Sequence, residues 1–226
     1  MNPQQKLIEL KPEKEFFIGF DSDGCVFDTM EIKQKECFCP NIIKFWGLQP
    51  ISKYARETWE FVNLYSKTRG CNRFIAVKEA FALMEERREV KNRNFKMPDV
   101  TPLLKWMEKE TKLGNPALEK YAKEVNNQVI DKALAWSLQV NKDIAEMVFG
   151  IAPFPYVKEC LEKVKGKADS IVVSQTPVEA LEREWEENNI DHFVRIIAGA
   201  AISPRKVEKD GSLAIFKRRQ PAFNLQ

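Results

Sequence analysis

Histidine is all but missing from this chain: His192 is the only one in 226 residues. No Cys-His catalytic pair is therefore indicated for any of the five cysteines, Cys25, Cys37, Cys39, Cys71 and Cys160. No two of these have C-x-x-C spacing, and their number is odd, so reduced thiols are expected rather than a disulfide framework. Charge of one sign is also lacking. The 36 basic and 33 acidic residues give a net charge of +3 with both signs mixed along the chain. That balance excludes the concentrated basic face that nucleic-acid binding needs, and the short run Lys217, Arg218, Arg219 reads as a solvated tail. No stretch approaches eighteen apolar residues, so no membrane span is expected. The N-terminal MNPQQKLIELKPEKE lacks the apolar core of a secretory signal. A cytoplasmic protein is expected, with no nucleic-acid or membrane partner. No internal repeat and no low-complexity segment is found.

What is present is organised around Phe16 to Met30, FFIGFDSDGCVFDTM. The apolar run Phe16–Phe20 is short enough to be a buried strand. It stops at two carboxylates one residue apart, Asp21 and Asp23, followed by Gly24, which allows a sharp turn. Ligands of open α/β sheets bind beyond the carboxyl ends of the strands. Two carboxylates this close repel each other, and a cation or a shared proton resolves the conflict. The plain alternative is a strand that ends in an acidic turn. Cys25, inside this stretch, reads as a small packing residue.

The rest of the chain divides by character. Residues 1–15 are a polar lead-in. From Glu31 to Gly150 the pattern is helical with almost no strand signal. Ser52 is expected to cap one helix, and Phe74, Val77, Phe81 and Met84 mark one face of another. Thr101-Pro102 and Asn115-Pro116 read as helix starts, with the cap residue before a proline. Strand-helix alternation returns after Pro153. Tyr156–Val164 is a predicted helix stopped by Gly166. Ser170–Ser174 is a second strand, Pro177–Asn188 a helix, and Phe193–Ala198 a third strand. The five tryptophans, Trp46, Trp59, Trp106, Trp136 and Trp185, read as core, and His192 as a decoration of the loop before the third strand. The expected fold class is α/β: a Rossmann-like parallel sheet flanked by helices, formed by residues 1–30 and 151–226, with an all-helical domain of residues 31–150 inserted after the first strand. An insertion of that length needs a core of its own.

An apolar strand, then Asp, any residue, Asp, Gly, and finally Asp28-Thr29 resembles the first motif of the haloacid dehalogenase (HAD) superfamily of phosphotransfer enzymes. An inserted helical cap at this place belongs to the same resemblance. The resemblance implies that Asp21 is the nucleophile that forms an aspartyl-phosphate, and that Asp23 is the general acid and base. It also implies Mg²⁺ as cofactor, held by Asp21 and by Asp23 through its backbone carbonyl. The acid at position 23 favours phosphate-ester chemistry over dehalogenation and phosphonate cleavage. Ser174 matches the second motif, where with Gln175 it would bind the transferring phosphoryl group at the start of the Pro177 helix. Ser174 equally reads as an ordinary helix cap.

For the third motif, Lys206 is the candidate lysine, with Arg205 second; a solvated surface charge is the alternative. A fourth motif, one or two acids after a further apolar strand, is not found. After Lys206 the only acids are Glu208 and Asp210. The chain is therefore expected to be incomplete at its C-terminus relative to the family, with its first strand left exposed along one flank. In the cap, SKTRGCNRF gathers Arg69, Asn72 and Arg73 around Gly70, either as an anion-binding loop or as a polar turn between helices. The expected function is a metal-dependent phosphatase of a small phosphorylated metabolite. The alternatives are a phosphomutase of the same superfamily, or an impaired member that acts as a binding protein.

Overall fold

The computed structural model describes residues 7–174, 176 and 178–199. Two compact units emerge, one formed by residues up to Asp28 and from Gly150 onward, the other by Thr29–Phe149. The sequence-expected Gln175, Pro177, Arg205, Lys206, Glu208 and Asp210 lie outside the described residues.

The first unit is α/β. Three strands, β1 (Phe16–Phe20), β2 (Ala168–Val173) and β3 (Ile196–Ala198), form a parallel sheet in the order β1-β2-β3. Phe16 lies opposite Ala168 and Phe20 opposite Val172, while Ile171 to Val173 face Ile196 to Ala198. Alternate residues of β2 point to opposite faces, and each face has its own core. Val172 belongs with Val26, Phe27, Leu161, Trp185 and Ile190, all buried. Ile171 belongs with Ile196 and Ala198, against which Leu7 and Leu10 of the lead-in pack. The helices Val157–Val164 and Val178–Glu187 supply Leu161 and Trp185 to the first of these cores.

β1 is less buried than an apolar run of this kind predicts. Phe16 is 57 % exposed and Phe17 36 %. β1 has a partner on one side only in the described sheet, so its outer residues lack a neighbour to cover them.

The second unit is helical throughout, and among its described residues there is no strand. Its principal helices are α1 (Cys39–Trp46), α2 (Ser52–Glu60), α3 (Arg73–Glu86), α4 (Thr101–Lys109), α5 (Asn115–Val125) and α6 (Gln128–Met147). They close over an aromatic core. Trp59 packs edge-on to Trp136 at 6.2 Å, Phe74 edge-on to Trp106 at 5.2 Å, and Phe38 touches both Trp59 and Trp136. Each such indole removes roughly 150–250 Å² from water. At about 25 cal/mol per Å² that is roughly 4–6 kcal/mol gross for each ring. Phe74, Val77, Phe81 and Met84 share the buried face of α3 as their spacing predicts.

Two details depart from the sequence reading. Helices α2, α4 and α5 begin at Ser52, Thr101 and Asn115 themselves, with Ile51, Val100 and Gly114 in the cap positions. The proline thus sits at the second helical residue of α4 and α5, where the missing N–H still costs nothing. The second departure is two π-helical turns, Lys33–Phe38 and Phe61–Tyr65, in which N–H groups reach the fifth residue back. Asn41 Nδ2 donates to the Cys37 carbonyl at 2.8 Å, and Asn63 Nδ2 to the Trp59 carbonyl at 2.9 Å. A buried asparagine thus supports each irregular turn. No helix among the described residues is long and apolar enough to cross a membrane.

Candidate active site

β1 leads directly into a closed turn. The Ser22 carbonyl accepts the N–H groups of Cys25, Val26 and Phe27 at 3.3, 2.9 and 3.1 Å, and Gly24 N–H returns to the Phe27 carbonyl at 2.8 Å. Gly24 has φ +70°, the left-handed conformation that only glycine adopts without strain. The Ser22 side chain is completely buried, and its Oγ accepts the indole N–H of Trp185 at 3.1 Å. Trp185 is in turn packed edge-on against Phe27, with ring centres 6.1 Å apart. With Ser22 anchored inward, the acids on either side of it take the open side: Asp21 is exposed and Asp23 partly buried. Cys25 is exposed as well, contrary to its expected packing role. The turn is so tight that residue 25 sits at its tip.

The loop after β2 meets this turn. Ser174 is buried, and its N–H donates to the Ala198 carbonyl at 3.0 Å. Its Oγ accepts the N–H of Thr176 at 3.3 Å. Thr176 is itself 8 % exposed, and its hydroxyl donates to Asp23 Oδ2 at 2.6 Å. That distance is at the short end for an O–H···O bond. The end of β3 closes the arrangement from the other side. A Cβ added to Gly199 would lie 2.5 Å from the Thr176 carbonyl oxygen and 2.7 Å from the Val178 nitrogen. Asp21, Asp23 and Ser174 are thus placed at the carboxyl ends of adjacent parallel strands. Thr176 is the polar side chain that the sequence reading missed. Its signal is weak, because a hydroxyl beyond a strand end and before a helix is ordinarily a cap.

The oxygen-rich character of this place suits a hard cation. Two carboxylates share it, and no grouping of three or more His, Cys, Asp or Glu occurs among the described residues. Mg²⁺ commonly takes one or two protein carboxylates and completes its shell with water and substrate phosphate, so the donor set fits that ion.

The residues of the SKTRGCNRF loop are placed within the helical unit. Arg69 Nη1 donates to the Leu64 carbonyl at 3.1 Å. Asn72 caps α3 by accepting the Phe74 N–H at 2.9 Å, and its amide donates to the Leu113 carbonyl at 2.8 Å. Arg73 Nη1 donates to the carbonyl and to the hydroxyl of Ser137, both at 2.9 Å, and its guanidinium lies 5.1 Å from the centre of the Phe38 ring. No carboxylate of the described residues pairs with it. Burial pushes the Arg73 guanidinium down to about 10.

No protein-family model matches this chain, and neither does any curated protein. Several solved structures are similar to it, among them the following two. One is a predicted phosphoglycolate phosphatase from Haemophilus somnus 129PT, with 14 % identity and a TM-score of 0.48 over 85 % of this chain and 66 % of that one. The other is a HAD-superfamily hydrolase of subfamily IA, variant 1, from Geobacter sulfurreducens PCA, with 12 % identity and a TM-score of 0.43 over 88 % of this chain and 74 % of that one. The chain spans just under two thirds of the length of the first.

Proposed function

We propose that this chain is a phosphate-ester hydrolase that works through an aspartyl-phosphate on Asp21 and acts on a small phosphorylated metabolite. The observation that carries the reading is the pair of acids beyond β1, one exposed and one held by a hydroxyl from the neighbouring strand's loop. Two carboxylates in such different surroundings are suited to two roles. The exposed Asp21 carboxylate attacks phosphorus while the bond to the ester oxygen breaks. Asp23 gives its proton to the departing alkoxide. It then takes a proton from a water that attacks the acyl-phosphate, which releases inorganic phosphate and restores Asp21. Ser174, and with it Gln175, is proposed to contact the transferring phosphoryl group, and Lys206 to neutralise its charge.

Mg²⁺, held by Asp21 and the Asp23 carbonyl, would supply charge neutralisation between phosphate and carboxylate. The helical unit is proposed to act as a cap that selects the substrate. Its three candidate residues for an anion each also serve the helical unit, Arg69 and Asn72 through a backbone carbonyl and Arg73 through the carbonyl and hydroxyl of Ser137.

The test is turnover of p-nitrophenyl phosphate with Mg²⁺, repeated in EDTA, for the wild-type chain and for Asp21→Asn. Metal-dependent turnover that Asp21→Asn abolishes is the expected result. Wild-type activity retained in Asp21→Asn would overturn the nucleophile assignment.

A further inference from the structure

We propose that Thr176 is a positioning residue for the general acid: its hydroxyl fixes the Asp23 carboxylate in the orientation from which it protonates the leaving oxygen. The inference rests on the phosphatase reading above, and it assigns a role that neither the acidic motif nor Ser174 contains. Three observations carry it. The first is the bond itself, 2.6 Å from Thr176 Oγ1 to Asp23 Oδ2 across 153 residues of sequence. Thr176 stands two residues before Val178, the first residue of a helix, one short of the cap position that would offer its oxygen to first-turn N–H groups. Here the O–H is directed to a carboxylate in the turn beyond β1.

The second is rigidity. Thr176 is buried, its N–H is held by Ser174 Oγ, and Ser174 is pinned to Ala198 through the backbone. A β-branched side chain has few χ1 choices even without such support. The third is Gly199. Any side chain there would displace the Thr176 carbonyl, which a Cβ would approach to 2.5 Å. The end of β3 thus lies close against the main chain of Thr176. An acid that must deliver a proton in one step and accept one in the next gains from a fixed orientation, because misplacement is costly to rate.

Leaving-group dependence tests this. Protonation matters for an alkoxide and much less for p-nitrophenolate, which leaves well without it. Thr176→Val, Thr176→Ser and Asp23→Asn are compared on glycerol 2-phosphate and p-nitrophenyl phosphate, with folding checked by thermal melting. Thr176→Val is expected to lower kcat about tenfold more on the alkyl ester than on the aryl ester, with KM changing less, as a partial loss of the acid's contribution. Thr176→Ser, which keeps the hydroxyl, should restore the alkyl ester to within about threefold, because the donor is what matters. Should valine prevent folding, Thr176→Ala is read in the same way. Equal losses on both esters, or no rescue by serine, would overturn the positioning role alone. If Asp23→Asn itself shows no leaving-group dependence, the acid assignment fails first. A wild-type chain that turns over neither ester removes the phosphatase reading, and this inference falls with it.

Discussion

Arg195 Nη1 lies 2.7 Å from Asp169 Oδ1, and this ion pair ties the start of β3 to the interior of β2. Asp169 is 3 % exposed and accepts, on its other oxygen, the N–H groups of Glu13 and Lys14 at 2.8 and 3.1 Å. One carboxylate therefore joins the lead-in, the middle strand and the third strand. Burial alone would raise the Asp169 carboxyl, but the two N–H groups and the guanidinium outweigh it and hold it below the ordinary carboxylate value.

The first prediction follows from that depressed pKa. The group binds protons less readily when folded, so its stabilisation is complete above the unfolded value, about 4. It is lost as pH falls through the lower folded value. Asp169→Ala should cost about 2 kcal/mol at neutral pH, since it strips hydrogen bonds from two N–H groups and a guanidinium. The gap between variant and wild type should close as pH falls below about 4. Urea titrations at pH 7 and pH 3 check this. A gap of the same size at both would show that the charge of Asp169 is immaterial.

A second prediction concerns the indole that holds Ser22. Trp185→Phe keeps an aromatic ring in the core but removes the donor to Ser22 Oγ. A double-mutant cycle of Trp185→Phe with Ser22→Ala should return a coupling of about 1 kcal/mol. Both single variants should also lower phosphatase turnover, because the turn that presents Asp21 and Asp23 hangs on this contact. Strict additivity in stability would refute the pairing.

The third prediction addresses Arg73. If it receives the anionic part of a substrate, Arg73→Met should raise KM about tenfold or more while kcat changes less, since the interaction is made equally in ground and transition states. Arg73→Lys should not fully rescue it, because an ammonium cannot reproduce the fork that also meets Ser137. With its pKa lowered only to about 10, Arg73 stays charged through neutral pH and loses its proton above that value. Its contribution to KM should therefore be flat from pH 6 to 9 and fade near pH 10. A wild-type KM in Arg73→Met would leave Arg73 as a bundle residue.

Much of this was legible because the signals are short-range. The β1 run, the Gly24 turn and the apolar face of α3 each lie within a few residues, and each appears where the pattern puts it. The five tryptophans are buried as their size demands. What escaped depends on distant partners. Thr176 becomes significant only when β2 lies beside β1, and nothing near position 176 announces Asp23. The exposure of Phe16 depends on which strands flank β1, which hydropathy alone does not encode. The π turns at Lys33–Phe38 and Phe61–Tyr65 share the composition of the α-helices around them. Their supporting amides, Asn41 and Asn63, resemble any polar helix residue. The caps of α2, α4 and α5 lie one residue before Ser52, Thr101 and Asn115, because these cap-like side chains enter the helix itself.

Three N–H groups converge on the Ser22 carbonyl, so main-chain bonds help to close the turn at the end of β1. An amide in place of the Asp21 carboxyl leaves these main-chain bonds in place. An Asp21→Asn chain should melt like the wild type and still recognise whatever the wild type recognises. Immobilised on a resin, it would serve as bait that holds a phosphorylated metabolite without consuming it. Mass spectrometry of the eluate could then name the compound from the protein's own choice.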